Sequence, residues 1–351
     1  MIKIKSDGTG VPIVLTRTAV LPNLLPVVSG NGGRVAFYTL TAFFGSNPES
    51  APQLVVMDGN GGTTHQLSTD THIEFLGSPD VTADGGLIVL TRNDRTLGDS
   101  QLYKVGADGT GFGPVLTLSS GQAHAPRIAA DRTTIVFSSD TNQTGGTSDT
   151  SEEIFKVNAD GTGLTQLTNG PSGKKCQNPS IAWSGTVVVF DCDADLTGGN
   201  ADGSREIFKV NPDGSGLVQL TSGAAGTTSR FARVDEAGTW AVFESNANFD
   251  GGNADGSYEV YRVRTDGTGL ERLTGDPVYD SHGADISAAG DRIVYSSAAN
   301  PLGTNPENNE EIYEYEPATA TRHQLTSYAT GTSSGPRISG DGTFVYFTSS
   351  A

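Results

Sequence analysis

The sequence is poor in cationic side chains, in cysteine and in long apolar segments. It has 22 Lys and Arg against 40 Asp and Glu, a formal charge of −18, and a protein so acidic repels the phosphates of nucleic acids. We therefore expect no nucleic-acid partner. The acidity either keeps the surface solvated or marks loops that attract cations. No apolar run reaches the roughly 18 residues of a membrane-spanning helix, so we expect no membrane insertion.

Catalytic and nucleotide-binding motifs are also missing. We find no nucleophile elbow, no P-loop, no G-x-G-x-x-G after a predicted strand and no H-E-x-x-H. The usual hydrolase and nucleotide-binding mechanisms lose their support, and a non-enzymatic role is favoured over catalysis. Sustained helical spacing is absent as well, while glycine supplies 46 of 351 residues. This composition predicts many short strands joined by tight turns, with almost no helix.

What the sequence does contain is a repeat. The stretch 206–221, EIFKVNPDGSGLVQLT, reads as two short apolar runs around turn residues, which is typical of a β-hairpin. Its copies recur every 50 to 53 residues along the chain. The Asp of the central DG turn marks them at Asp7, Asp58, Asp108, Asp160, Asp213 and Asp266, with a degenerate seventh around Ala318. A period of this size built from strands indicates a propeller or solenoid.

A second kind of hairpin lies between these copies and also occurs seven times. It starts at Pro26, Pro79, Pro126, Pro179, Ala232, Ala284 and Pro336. The chain opens with one kind (2–16) and closes with the other (336–350), so the two can complete one sheet. The prediction is an all-β, seven-bladed β-propeller of four-stranded antiparallel blades. Residues 1–351 would form one domain, and we expect a monomer.

Both hairpins match a known repeat. P-x-[IV]-[SA]-x-[DS]-G-x-x-[IV]-[VY]-F together with E-[IV]-[FY]-x-V-x-x-D-G-[TS]-G-L-x-x-L-T resembles the TolB-type, WD-like propeller repeat over essentially the whole chain. The resemblance implies that the first strand of each blade lines a central channel. It also implies that loops entering that strand share a face with loops joining the second and third strands. The latter are long here, at 140–151, 191–204, 245–257 and 298–309. We call this the long-loop face and expect function there.

The two cysteines should face each other. Cys176 precedes the first strand of the fourth repeat and Cys192 ends the strand that pairs with it. Pairing across the turn at 183–185 joins residues whose numbers sum to about 369, and 176 + 192 = 368. A disulfide is therefore predicted. It would indicate an oxidising compartment, and we expect a periplasmic or extracellular protein; two free buried thiols in a cytosolic protein are the alternative.

A candidate ligand site is predicted at the mouth of the channel. The position two residues before each predicted channel-lining strand holds His124, Gln177, Arg230 and His282 in four consecutive blades. The two histidines with Gln177 have the chemistry to hold a divalent metal, and Arg230 that to bind a carboxylate. The alternative is that these are solvated side chains bonded to backbone carbonyls.

Two further sets of polar residues recur. N-x-D-G loops resemble part of a calcium loop and make Asn200, Asp202, Asp250, Asn253 and Asp255 candidate calcium ligands, against the alternative of ordinary turn chemistry. One Glu opens the third strand in four blades, at Glu153, Glu206, Glu259 and Glu311. Such repetition predicts a structural role for these carboxylates, not a catalytic one.

The leading functional hypothesis is a secreted or periplasmic bacterial TolB-like propeller that binds a protein, glycan or cation, calcium included, through its long-loop face. The alternative is a metal-assisted polysaccharide lyase that resembles oligogalacturonate lyases, with its site at the channel mouth. Convergent metal ligands there would favour the lyase.

Overall fold

The computed structural model describes residues 1–16, 23–40, 52–68, 78–94, 99–118, 121–140 and 151–351, with the backbone alone for 23–25, 93, 94 and 99. The predicted long loop at 140–151 therefore falls largely outside the described residues. The described strands are β1 (Ile2–Lys5), β2 (Ile13–Val14), β3 (Asn23–Val28), β4 (Arg34–Thr39), β5 (Gln53–Asp58), β6 (Thr64–Gln66), β7 (Asp80–Val81), β8 (Leu87–Asp94), β9 (Asp99–Gly106), β10 (Gly113–Leu116), β11 (Ala123–Ile128), β12 (Thr134–Ser139), β13 (Glu153–Asn158), β14 (Thr165–Gln166), β15 (Cys176–Ile181), β16 (Val188–Cys192), β17 (Glu206–Val210), β18 (Val218–Gln219), β19 (Ser229–Val234), β20 (Trp240–Ser245), β21 (Glu259–Arg264), β22 (Glu271–Arg272), β23 (Ser281–Ile286), β24 (Ile293–Ser297), β25 (Glu311–Glu316), β26 (Thr321–Gln324), β27 (Ser333–Ile338) and β28 (Phe344–Ser349).

These strands form seven four-stranded antiparallel sheets, the blades of a β-propeller. Blade 1 is β3–β6, blade 2 is β7–β10, and four more blades follow in chain order up to β26. Blade 7 has the order β2-β1-β28-β27, with Ile2 opposite Phe347. The predicted fold, including its closure by the two ends of the chain, is confirmed. No helix occurs among the described residues, and so none that could cross a membrane.

The DG hairpins form because the Asp side chain of each turn accepts hydrogen bonds from the turn's own residues. The carboxylate of Asp213 accepts hydrogen bonds from the backbone N–H of Ser215 (2.9 Å) and from its hydroxyl (2.6 Å). Gly214 between them has φ 83°, a conformation that glycine adopts at little cost. The same Asp-to-Thr bonds recur in the hairpins at Asp7, Asp108, Asp160 and Asp266. The repeated D-G-[TS] motif is therefore a turn-forming unit.

The core lies within and between the blades. Paired second and third strands stack aromatic rings face to face, with centroids 5.6 Å apart for Phe137 and Phe155 and 5.8 Å for Phe190 and Phe208. Residues of neighbouring blades share the same buried clusters. At the junction of blades 7 and 1, the Tyr346 hydroxyl donates to the Gly32 carbonyl (3.1 Å). Met1 and Tyr346 of blade 7 also share a buried cluster with Val35 and Phe37 of blade 1, so contacts between these blades close the ring together with the hydrogen bonding within blade 7.

Candidate functional site at the central channel

The four predicted mouth residues occupy one structural position. Each is the second residue of the innermost strand of its blade, and each is half-buried. The strands begin earlier than the sequence predicted, so the residues belong to strands and not to entering loops. Their partners on the second strand are Ser138 for His124, Asp191 for Gln177, Glu244 for Arg230 and Ser296 for His282.

A β-bulge follows directly and bends the inner strand. The bulge residue has a left-handed φ in every blade from 3 to 7: 45° at Ala125, 52° at Asn178, 57° at Phe231, 69° at Gly283 and 63° at Gly335. Glycine accepts this conformation freely, whereas it is an outlier for a bulky residue. Blade 5 therefore holds an aromatic side chain in a strained position, a feature that tends to occur at functional sites.

In blades 5 and 6 a carboxylate of the preceding blade accepts a hydrogen bond from the backbone of the bulge residue. Asp191 is fully buried and accepts hydrogen bonds from the Phe231 backbone N–H (3.1 Å) and from Asn178 Nδ2 (3.0 Å), and it also pairs with Arg205. Glu244 accepts from the Gly283 N–H (2.6 Å) in the next blade. Burial raises the pKa of Asp191, and Arg205 opposes that rise. These acids connect neighbouring blades at the mouth.

Three of the four mouth side chains have specific partners. Gln177 Nε2 donates to Glu152 Oε2, and the other carboxylate oxygen of Glu152 accepts from the Ser138 hydroxyl (2.8 Å). His282 Nε2 lies 3.1 Å from Glu310 Oε1. For His124, no hydrogen bond to another side chain occurs among the described residues.

Arg230 is the most elaborately held of the four. Its Nε donates to Glu244 (3.3 Å), and its guanidinium carbon lies 4.0 Å from the centroid of the Tyr258 ring and 5.1 Å from that of Phe231. The Arg230 side chain is 35% exposed and Phe231 is 43% exposed. We call Arg230, Phe231 and Tyr258 the mouth platform.

Deeper in the channel lies a charged ring that the sequence analysis did not select. In every blade, the residue after the Pro or Ala that starts the second kind of hairpin lines a cavity of about 90 Å³ on the axis. Around the ring these residues are Val27, Asp80, Arg127, Ser180, Arg233, Asp285 and Arg337. Arginines of three alternate blades are thus separated by shorter side chains. The variable position of the P-x-[IV] motif was the available signal, since it reads Arg or Asp in five of the repeats.

The short members of the ring bond to the blade that follows. Asp80 accepts from the Ile128 backbone N–H (2.9 Å) and Asp285 from that of Ile338 (3.0 Å). The arginines bond to neutral groups: the nearest for Arg337 is the Pro336 carbonyl at 2.8 Å. Burial lowers the pKa of Arg127 and raises that of Asp80.

The channel is closed at the face opposite the long loops. Trp183, in the turn between β15 and β16, lines the cavity and reaches across the axis to the turns of blades 1 and 7. A Cβ added at Gly30 or at Gly340 would lie 2.3 Å from its ring. Backbone hydrogen bonds between blades surround it, such as Gly340 N–H to the Gly30 carbonyl (2.8 Å). The cavity is therefore blind at this narrow end.

The N-x-D-G loops are built around buried asparagines. Asn253 Nδ2 donates to the Ser257 carbonyl (2.9 Å), and its Oδ1 accepts from the Ser257 hydroxyl (3.1 Å). Asn200 makes the same bonds to Ser204 at 2.8 and 3.1 Å. Asp202 bonds to the Ser204 N–H (3.1 Å). These contacts are those of turn chemistry.

The acidic residues beside these asparagines also bond locally. Asp250 accepts from Gly252 N–H (2.9 Å) and Arg272 Nε (3.0 Å), and hydrogen bonds from Ser257 lower the pKa of exposed Asp255. Calcium binding by these loops stays a prediction.

The repeated glutamates have the structural role expected of them. Glu206 accepts from the Thr221 hydroxyl and from the Gly223 backbone N–H (2.6 Å), tying the third strand to the loop after the fourth. Glu153, Glu259 and Glu311 repeat these bonds in their blades.

A disulfide joins Cys176 and Cys192, which face each other in the register that the sequence predicted. At the equivalent place in blade 5, Ser229 and Ser245 share a hydrogen bond of 2.9 Å, and blades 6 and 7 have similar serine pairs. The disulfide thus replaces a hydrogen bond at the mouth end of blade 4.

Among the described residues, one group of His and carboxylate side chains is close enough to share an ion: Glu314, Glu316 and His323 on the outer strands of blade 6. Arg292 already pairs with Glu314 (2.6 Å) and Glu316 (2.8 Å) there. The group lies away from the channel mouth.

Comparisons with known proteins support the fold. No protein-family model and no curated protein matches the sequence. An oligogalacturonate lyase from Vibrio parahaemolyticus aligns with a TM-score of 0.67 at 13% identity, over 94% of this chain and 92% of its own. A putative TolB from Agrobacterium tumefaciens aligns at 0.55 and 16% identity, over 82% of this chain and 94% of its own.

A third similar structure, prolyl oligopeptidase B from Galerina marginata, aligns at a TM-score of 0.58 and 13% identity, over 93% of this chain and 46% of its own. The chain therefore has the fold of TolB-like β-propellers, as the repeat resemblance predicted. At these identities the likeness shows the fold alone.

Proposed function

We propose that this propeller is an exported binding module that recognises an acidic glycan at the mouth of its channel. The observation that carries the proposal is the mouth platform, in which Arg230 lies 4.0 Å above the Tyr258 ring beside the exposed Phe231. Rings of this kind stack on the apolar faces of sugars. A guanidinium fixed between them binds a carboxylate in a defined orientation.

Arg230 retains donors for a ligand. Its Nε is used by Glu244, while Nη1 and Nη2 have no hydrogen-bond partner among the described residues. A planar guanidinium presents those two groups as a fork that matches a carboxylate. A uronate group is the sugar substituent that fits this fork.

Polar groups suited to sugar hydroxyls surround the platform. Gln177 of blade 4, bonded to Glu152 of blade 3, lies on one side, and His282 and Glu310 of blade 6 lie on the other. His282 Nδ1 is buried and has no hydrogen-bond partner within the described part of the chain. Buried polar atoms are nearly always bonded, so this nitrogen is a candidate to bond a ligand hydroxyl or a water.

The disulfide supports export, because such bonds persist in oxidising compartments and are rare in the cytosol. The formal net charge of −18 disfavours anions over most of the protein, so an anionic ligand needs a local cation such as Arg230.

The proposal is tested by titrating a galacturonate oligomer into the purified protein and measuring heat. We expect saturable binding to the wild type, and a loss of at least about tenfold in affinity for Arg230→Ala, since a charge-assisted pair is removed. Phe231→Ala should weaken binding as well. Arg264→Ala, an exposed arginine outside the mouth, is the matched control and should bind like the wild type.

Two outcomes would change the assignment. If no uronate oligomer binds the wild type, or if Arg264→Ala weakens binding as much as Arg230→Ala, the glycan proposal fails. Appearance of unsaturated product absorbance with manganese or calcium would instead support the lyase alternative.

A further inference from the structure

We propose that the three channel arginines, Arg127, Arg233 and Arg337, form a binding site for a small oxyanion of the size of phosphate or acetate. The site lies in the axial cavity, deeper than the mouth platform. It is independent of the proposed glycan site, because it uses different residues and a different ligand.

The first argument is charge. At the level of the ring, three arginines face two aspartates, Asp80 and Asp285, which leaves one excess positive charge there; the third carboxylate that lines the cavity, Glu236, is exposed in the turn after β19. The third acceptor position, between Arg127 and Arg233, is the neutral Ser180. Buried charges without a partner are costly, and a bound anion would supply the missing one.

The second argument is hydrogen bonding. Arg233 Nη1 bonds to the Ala232 carbonyl (3.3 Å) and Arg337 Nη1 to that of Pro336 (2.8 Å). Arg127 bonds to the Pro126 carbonyl (2.8 Å) and to Ser78. Among the described residues none of the three makes a direct ion pair with a carboxylate, although Asp80 and Asp285 attract Arg127 and Arg233 at longer range, and each aspartate directs one oxygen to a backbone N–H group. Guanidinium donors are therefore left for a ligand.

The third argument is enclosure. Trp183 closes the narrow end, and the cavity of about 90 Å³ has room for several waters or one small oxyanion. Arg127 is buried to 9% exposure. Burial, together with repulsion from Arg127 and Arg337, lowers the pKa of Arg233 to about 9. The three guanidinium groups thus repel one another in a poorly solvated space, and a bound anion would reduce that repulsion.

The test is a calorimetric titration of inorganic phosphate into the intact protein in a zwitterionic buffer, with ionic strength held constant by sodium chloride. We expect one saturable site per chain in the wild type. Arg233→Gln should weaken phosphate binding by about tenfold or more, because a charge-assisted bond is lost.

Matched variants separate the site from general charge effects. Asp285→Asn removes a competing negative charge and keeps the side-chain oxygen that faces the Ile338 N–H, so phosphate affinity should rise several-fold. This gain keeps the test decisive if Arg233→Gln fails to fold. Arg264→Gln and Arg230→Ala, which alter arginines outside the cavity, should leave phosphate affinity unchanged.

A further arm distinguishes a free anion from the acidic group of a bound glycan. A galacturonate oligomer that binds equally well with and without saturating phosphate indicates a free-anion site, whereas competition indicates that a sugar carboxylate reaches the arginines. The proposal is overturned if phosphate shows no saturable binding to the wild type, or if Arg233→Gln and Asp285→Asn both bind it like the wild type. Loss of glycan binding in Arg230→Ala with phosphate binding intact confirms that the two sites are separate.

Discussion

The two ends of the channel are built from the same repeat in different ways. At the narrow end, backbone groups of the turns bond from blade to blade around a single large side chain, Trp183. At the mouth, side chains make the connections between blades, and the residue at each position changes from one blade to the next.

This difference separates fold from function. Backbone hydrogen bonds are available to every sequence, so the narrow end needs little more than small residues such as Gly30 and Gly340 where Trp183 passes. At the mouth, side chains make the contacts between blades, so the residues there can differ from one blade to the next. The candidate binding residues therefore lie where the repeat is least regular, as expected for variable segments carried on a rigid scaffold.

The largest effect is expected from the disulfide at the mouth end of blade 4. Replacing both cysteines with serine opens a loop whose ends are 16 residues apart, at a cost of about 3 kcal/mol by the chain-entropy estimate. The serines should recover the hydrogen bond that Ser229 and Ser245 make in blade 5. Urea unfolding measures the loss.

The matched control replaces Cys176 and Cys192 with alanine, which cannot form that bond and should lose about 1 kcal/mol more. Equal stability of the two double variants would show that blade 4 does not reproduce the serine pairs of its neighbours.

At the narrow end, Gly30→Ala should cost about 1–3 kcal/mol, because its Cβ would lie 2.3 Å from the Trp183 ring in a packed site. Combining it with Trp183→Leu should remove most of that cost, a coupling that a double-mutant cycle measures by urea unfolding. Gly113→Ala, where nothing lies within 4 Å of the added Cβ, is the control. Additive effects of the two changes would mean that Trp183 does not fill the axis.

Phe231→Gly should separate stability from binding at the mouth. It relieves a left-handed backbone that costs an ordinary residue about 1–2 kcal/mol, against about 0.5–1 kcal/mol for the added freedom of glycine in the unfolded chain. We expect a net gain of about 1 kcal/mol or less by thermal unfolding, with loss of glycan affinity. The reverse change in blade 6, Gly283→Phe, should destabilise; if it does not, the bulges of the two blades are not equivalent.

Much of the fold could be predicted because its causes are local. Each hairpin is specified by its own turn residues, so the period and the count of half-units determine the number of blades and their closure. The pairing of Cys176 with Cys192 followed from the same rule, since residues facing across a hairpin have a constant sum.

The equivalence of the four candidate site residues could be predicted from the sequence, but their contacts could not. Periodicity placed His124, Gln177, Arg230 and His282 at one level of the ring, yet their partners come from positions that the period does not connect to them. Trp183 is harder still, because it acts across the axis on blades far away in sequence. To predict the arginine ring, one must know which side chains of each inner strand face the channel. The bulges interrupt the regular alternation of side chains along these strands, so the sequence pattern does not show it.

The smallest effect concerns pH and the channel ring. Burial raises the pKa of Asp80 above its ordinary value, an effect that Arg127 and Arg233 oppose. A carboxyl group whose folded pKa is raised binds its proton more tightly in the native state, so its contribution to stability is greatest below the ordinary Asp range near pH 4 and falls as pH rises through the folded pKa.

Asp80→Asn removes this titration while keeping an oxygen for the Ile128 N–H. We therefore expect the stability of the wild type relative to the variant to decline between about pH 4 and the folded pKa and to be constant above it, as measured by urea unfolding across pH at fixed ionic strength. A relative stability that instead rises with pH would mean that the arginines outweigh burial, and it would weaken the case that the ring lacks negative charge.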